Sequence, residues 1–239
     1  MLKKYKLIWE DLFNRETVDE SIWNIDEAGG GFGNNEAQYY SKDNVYIKDN
    51  MLHIVARKEQ KNGHRYTSAK LTTKSKKTML YGKIEVSAKI PKGLGTWPAI
   101  WLLPEDIAIH GWPLSGEIDL MEHVGHTPNQ IHASLHSLAK NHHKGNQDTA
   151  YVMIDDANST FKNYVLEWDE NGLCFYVDDQ RIACFNKPEI VNLESWPFDR
   201  PYYLILNLAI GGWWGGKIDD TIFPTAFLIK HVKVYERDE

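Results

Sequence analysis

Short apolar and β-branched runs recur every ten to fifteen residues along this chain, each cut off by turn residues. They fall at Asn44–Ile47, Met51–Arg57, Lys70–Thr73, Gly82–Ile90, Glu117–Val124, Gln130–Ser137, Asn163–Trp168, Leu173–Val177, Arg181–Phe185, Tyr202–Ala209 and Leu228–Tyr235. Such spacing predicts an all-β antiparallel sandwich or barrel. Helical periodicity is scarce, and only Lys187–Ser195 reads as a short helix. Polar and apolar residues alternate cleanly from Lys83 to Ile90, which predicts one wet and one buried face. Asp178-Asp179, between Tyr176-Val177 and Arg181-Ile182, signals a hairpin. No linker, repeat or low-complexity block interrupts the 239 residues, so 1–239 reads as one domain.

Composition narrows the function classes. Hydrophobic residues make up 42% of the chain and the net charge is only −6, which excludes disorder throughout. Acidic residues outnumber basic ones, 33 to 27, and a phosphate backbone wants the reverse, so a nucleic-acid partner is disfavoured. Nine tryptophans serve either a large aromatic core or platforms for the apolar faces of sugars. No run approaches the ~18 apolar residues of a membrane span. Met1–Glu10 lacks the apolar stretch of a leader peptide, so the chain reads as cytoplasmic or as an exported form without its signal. Cys174 and Cys184 flank the expected hairpin. A two-residue turn sets Cys174 opposite position 183, and a three-residue loop would align the two; the expectation is a pair of buried thiols.

Two loops have unusual contents. Gly29–Gln38 is rich in glycine, but no Gly-Lys-Ser/Thr and no helix follow, so the context of a phosphate loop is missing. Ala139–Gln147 carries His142 and His143. Neighbours in an extended chain point apart, and the segment reads as a solvated loop rather than a metal site.

The densest chemistry lies in Gly116-Glu117-Ile118-Asp119-Leu120-Met121-Glu122-His123-Val124. On a regular strand Glu117 and Asp119 share a face and Glu122 takes the other. One β-bulge near Leu120-Met121 restores parity and turns all three acids to one side. A row of like charges destabilises a sheet unless it has a use. With the bulge counted as one step, the two Glu Cα atoms lie ~13 Å apart, and inward-leaning carboxylates end ~5–6 Å apart. That is near the ~5–5.5 Å of retaining glycosidases. Asp119 is placed to hydrogen-bond one Glu and to raise the pKa of the other.

Aromatic residues surround this strand in sequence. Trp97, Trp101 and Trp112 lie upstream, and Gly211-Gly212-Trp213-Trp214-Gly215-Gly216 lies downstream, where a ligand can pass close to the backbone. His132 and His136 share a face of the next predicted strand and are expected to hydrogen-bond near the carboxylates rather than to hold a metal.

At this point the chain resembles glycoside hydrolase family 16, specifically its laminarinase-like endo-1,3-β-glucanases. Glu117, Asp119 and Glu122 match the motif Glu-x-Asp-x-x-Glu, with Met121 as the extra residue of the laminarinase side. Gly33–Tyr40, Tyr81–Glu85, Pro91–Gly93, Trp97–Leu102, Leu204–Gly212 and Val232–Tyr235 resemble family blocks in family order. The resemblance implies a β-jelly-roll of two curved antiparallel sheets with substrate across the concave one. It implies Glu117 as nucleophile, Glu122 as general acid/base and Asp119 as the assisting acid. Trp97, Trp101 and Trp112 match tryptophans of the glycone side, Asn35 an asparagine of the loop above it, and His136 and Asn207 polar residues near the acid/base.

Two departures follow from that resemblance. Lys70 stands where many laminarinases carry Arg, and it cannot make the same forked contact. Lys230 stands where the family often places an Asp for structural calcium; an ammonium cannot ligate calcium, so no metal site is expected. The expected function is retaining hydrolysis of β-1,3-glucan without a cofactor, on a polysaccharide or oligosaccharide substrate, by a monomer with no membrane or nucleic-acid partner. The alternatives are hydrolysis of mixed-linkage glucan or an algal galactan, or a silent glucan-binding module. The expected location is extracellular or periplasmic.

Overall fold

A computed structural model describes residues 4–238. Met1, Leu2, Lys3 and Glu239, which the search for a leader and the 1–239 domain included, lie outside the described residues. The strands are β1 (Tyr5–Asp11), β2 (Asn24–Ile25), β3 (Gln38–Tyr40), β4 (Val45–Lys48), β5 (Met51–Ala56), β6 (Tyr66–Ser68), β7 (Lys70–Thr72), β8 (Thr78–Met79) and β9 (Gly82–Lys89). They continue with β10 (Thr96–Pro104), β11 (Glu117–Glu122), β12 (Gln130–His136), β13 (Asp148–Met153), β14 (Lys162–Asp169), β15 (Gly172–Val177), β16 (Gln180–Asn186), β17 (Tyr202–Ile210) and β18 (Thr225–Arg237). Two one-turn helices, α1 (Ile107–His110) and α2 (Gly212–Gly215), interrupt them.

Two large antiparallel sheets stack as a β-jelly-roll. One runs β16-β15-β14-β9-β18-β5-β4, with β1 on β18; the other runs β13-β12-β11-β10-β17-β7-β2, with β8 on β17. Ile84, Val86, Leu166 and Phe175 of the first sheet meet Ile100, Leu102, Ile118, Leu135 and Leu206 of the second in one apolar cluster. Burial alternates along β14 and β15, so the outer face of the first sheet is wetter than its inner one. Every residue of β17 is buried, because its second face forms the floor of a cleft rather than a solvated surface.

All eleven expected runs contain strands, and the differences are informative. Lys187–Ser195 forms no helix; it is a turn-rich link before β17. β1, β10 and β13 lie outside the eleven expected runs, and in β10 the central Pro98 argues against a central strand. The Pro98 carbonyl accepts from His123 N at 3.3 Å, just beyond the last residue of β11. The missing Pro N–H therefore falls past the end of that ladder.

The cysteine expectation fails: Cys174 and Cys184 form a disulfide, with Cα atoms 4.1 Å apart. Val177 pairs with Gln180, so the turn has the two residues expected. The register then slips between Phe175 and Tyr176, with Ile182 as the extra residue, and this bulge brings Cys184 opposite Cys174.

Candidate active site

β11 is kinked by the residue count that its acids required. Against β10, Met121 pairs with Ile100 and Asp119 with Trp101, leaving Leu120 without a partner. Against β12, Asp119 and Glu122 pair with Ser134 and His132, three steps against two. Ile118, Leu120 and Met121 are fully buried in the core, while Glu117 and Glu122 reach the cleft on the other face. Asp119 lies between them and is 2% exposed.

Each acid has distinct neighbours. Trp97 Nε1 donates to Glu122 Oε1 at 3.0 Å. His136 Nε2 lies 3.1 Å from Asp119 Oδ2 and 3.8 Å from Glu117 Oε1. The Trp112 indole favours the charged form of Glu117. Burial raises all three pKa values. It pushes Glu122 to about 8, with the neighbouring Asp119 adding to the rise. Burial and then the charge of Asp119 hold Glu117 well above the usual range, opposed by His136 and Trp112. Burial alone does the same to Asp119. Desolvation therefore outweighs the charge repulsion that the sequence reading put first. Three adjacent buried carboxyls share protons rather than ionise together, and an indole and His136 favour the charged form of Glu117 and of Glu122 alike.

Glu117, Asp119 and His136 each place a donor atom within 4.8 Å of the others. Lys230, the remaining metal-related residue, is the extra residue of a bulge in β18, and its ammonium lies 4.1 Å from the centre of the Phe161 ring.

The cleft divides at β11. Toward β10, β17 and β7 lies a recess of about 90 Å³, lined among others by Phe32, Glu36, Tyr40, Lys70, Trp101 and Asn207. Its polar groups are bonded in series. Trp101 Nε1 donates to Asn207 Oδ1 (2.6 Å), Asn207 Nδ2 to Tyr40 OH (3.0 Å), and Tyr40 OH to Glu36 Oε2 (3.1 Å). Gln38 and Asn34 also donate to Glu36, at 2.7 and 3.2 Å. Burial raises the Glu36 pKa and these bonds oppose the rise. Lys70 reaches Asp26 at 3.4 Å and lies over the Phe32 and Trp101 rings.

Toward β12 and β13 the cleft opens to about 700 Å³, lined by His132, Ser134, His136, His142, His143, Gln147, Thr149, Trp213 and Trp214, with Trp97, Asn34 and the two Glu at its boundary. Trp214 stands edge-on to Trp97 and to His132. Trp213 is 78% exposed at the rim. The loop carrying it is tied to the glycine-rich loop by Trp213 N donating to Asn34 O at 2.8 Å. A side chain on Gly212 would meet that same Asn34 oxygen at 2.8 Å, which explains a glycine at φ 76°.

Ten of the eleven expected site residues therefore belong to this cleft or touch its acids. Asn35 does not line either part; it is exposed in a left-handed conformation (φ 57°), and its neighbour Asn34 lines both. Trp112 packs on the histidine wall, with ring centres 4.9 Å from both His142 and His143. The reading of Ala139–Gln147 as a solvated loop is corrected accordingly. His142 and His143 are exposed but form a wall of the cleft. Burial, then His136 and His143, lowers the His142 pKa to about 4, so it is neutral at physiological pH. Glu36 and Tyr40 were missed as site residues; their signal was an acid and aromatics at the end of the glycine-rich loop, just before the residues of β3.

A model of the family described as Glycosyl hydrolases family 16 matches residues 32–224. The beta-glucanase of Rhodothermus marinus is 39% identical over 244 aligned residues, which cover 97% of this chain and 85% of that protein. The X-ray structure of the laminarinase from Rhodothermus marinus superposes with a TM-score of 0.95 at 38% identity, over 100% of each chain. The catalytic domain of an endo-1,3-beta-glucanase (laminarinase) from Thermotoga petrophila RKU-1 gives 0.93 at 36% identity, again over 100% of each.

Proposed function

This chain belongs to glycosyl hydrolase family 16, and from that premise we propose that it is a retaining endo-β-1,3-glucanase in which Glu117 is the nucleophile and Glu122 the general acid/base. That it is a glycoside hydrolase follows from its family and its laminarinase relatives. The observation that carries the role assignment is the bulge of β11, which sets three acids of unequal surroundings on the floor of one cleft.

Glu122 accepts the Trp97 N–H on Oε1, which leaves Oε2 to carry the proton. That proton passes to the glycosidic oxygen as a Glu117 oxygen bonds to the anomeric carbon and the C–O bond breaks. The ester at Glu117 no longer carries a negative charge. Glu122, now ionised, takes a proton from water, whose oxygen replaces Glu117 at the anomeric carbon with net retention. Burial biases Asp119, between the two Glu, toward its neutral form. No step requires a metal. We place the glycone sugars in the narrow recess beside Trp101 and Asn207, because fixed donors and acceptors suit the ring that changes geometry, and the leaving chain on the wide side. The Cys174–Cys184 disulfide supports a location outside the reducing cytosol. No helix among the described residues is long and apolar enough to cross a membrane. We take the working unit to be a monomer.

The test is reducing-sugar release from laminarin, mixed-linkage β-glucan and agar by the wild type and by Glu117→Ser, with the anomer of the first product read by NMR. Release from laminarin as the β-anomer, lost by at least ~10³-fold in Glu117→Ser, is expected. An α-anomer, or a variant that keeps a few per cent of the rate without an added nucleophile, overturns the assignment.

A further inference from the structure

Cross-strand register carries the face of the acid/base beyond the cleft just described. Glu122 of β11 sits opposite His132 of β12, and His132 sits opposite Tyr151 of β13. Directly opposed residues share a face of the sheet, so Tyr151 stands on the same face as Glu122, two strands away. β13 ends its sheet. Tyr151 is 57% exposed and Met153, two residues on, is 52% exposed, whereas Val152 between them packs on the core. Exposed apolar side chains in a row on an edge strand are a liability unless something uses them.

The rings form an unbroken series. Trp97, which donates to Glu122, lies 5.5 Å from Trp214; Trp214 lies 5.1 Å from His132; and His132 lies 5.5 Å from Tyr151. Tyr151 is not among the residues lining the 700 Å³ cleft, which stops at Thr149 on β13. Neighbouring strands are ~4.8 Å apart, about the length of one glucose unit along a glucan. Two strand steps from Glu122 therefore correspond to roughly two sugars beyond the scissile bond.

We propose that the exposed face of Tyr151 is a sugar-binding platform for the leaving side of a long β-glucan chain, continuing the aromatic track from Trp214 and His132 to the sheet edge. The proposal rests on the glucanase reading and on placement of the glycone in the narrow recess. The occupant is the apolar face of a pyranose, for which a phenol ring is a matched surface, and the platform is continuous with the substrate cleft. Its effect falls on chains long enough to reach it and not on the bond-breaking groups.

Two substrates separate these possibilities: laminarin, and an aryl β-glycoside of laminaribiose, whose leaving group ends far short of β13. Tyr151→Thr keeps a β-branched residue at the strand edge and removes the ring; Tyr151→Phe keeps the ring. Tyr151→Thr is expected to raise KM for laminarin about 3- to 10-fold with kcat retained, to change kcat/KM for the aryl glycoside several-fold less, and to shift the laminarin product sizes. Tyr151→Phe is expected to stay within about twofold of wild type on both. An unchanged KM for laminarin overturns the proposal, as does an equal loss on both substrates. A wild-type dimer in sedimentation that Tyr151→Thr converts to monomer overturns it in favour of a second copy of this chain. If wild type cleaves mixed-linkage glucan and not laminarin, the β-1,3 reading fails, and the same ratio against the polymer that is cleaved decides on the platform.

Discussion

On one side of β11 the cleft is lined by a series of hydrogen bonds running from Trp101 through Asn207 and Tyr40 to Glu36, with each group donating to the next. On the other side it is bounded by rings, namely His132, Trp214, His142, His143 and Trp112, whose mutual contacts are mostly edge-on or stacked. The first side has little freedom. Removing one member strands a buried donor or acceptor, and a half-satisfied buried network is costly. The second side is exposed and redundant, since each ring has a neighbouring ring that can cover the same sugar face. A site that must position one sugar strictly and release many different chain ends needs both kinds of wall.

The comparison can be broken by one substitution on each side. Glu36→Ala removes the acceptor shared by Tyr40, Gln38 and Asn34. The stranded donors lower Tm, and a penalty of about 1–3 kcal/mol at Tyr40, which faces the substrate through Asn207, corresponds to a fall in kcat/KM on laminarin of roughly 10- to 100-fold. His142→Ala removes one ring from a wall that retains His143 and Trp112. It is expected to raise KM about 2- to 4-fold with kcat held. Steady-state kinetics of both variants on one laminarin preparation decide the matter. Equal losses would mean that the two walls are not built on different principles.

The same contrast explains what could be read from the sequence. The three acids were legible because strand parity leaves only a bulge to reconcile Glu117 and Asp119 with Glu122. The bulge in turn fixes which apolar residues, Leu120 and Met121 among them, fill the core. Most of the long strands were legible for the same reason, since alternation is local, but β1, β10 and β13 lay outside the expected runs. Glu36 and Tyr40 were not, since their role depends on Asn207, more than 160 residues away, and no local pattern records that meeting. His142 and His143 have the composition of a solvated loop and are in fact exposed; only the packing of Trp112 makes that loop a wall. The disulfide was missed because the pairing depends on a bulge in β16 that neither cysteine signals.

The smallest expected effect concerns pH, and it sets the acid axis apart from both walls. Burial raises Glu122 from an ordinary 4.5 to about 8. A carboxyl whose folded pKa lies above its unfolded one holds a proton that the unfolded chain has lost. Its favourable contribution is complete below about pH 4.5 and is lost as pH rises toward about 8. Glu122→Gln keeps the shape and cannot ionise, so it escapes that loss. The Tm of Glu122→Gln minus that of wild type should be near its minimum at pH 4–5, grow through neutrality and level off above about pH 8. A gain at the plateau is expected, each kcal/mol being worth about 2–4 °C for a chain of this size. The activity of wild type follows the same proton: kcat/KM should fall on the alkaline side near pH 8, where Glu122 loses the proton that the leaving oxygen needs. Neither Glu36→Ala nor His142→Ala should move that limb by more than a few tenths of a pH unit, because the main cause of the shift is burial of the carboxyl itself. Calorimetry of wild type and Glu122→Gln at pH 5 and pH 8, beside a pH–rate profile, measures both. A Tm difference equal at the two pH values, or an alkaline limb that follows Glu36→Ala, would place the controlling proton elsewhere than on Glu122.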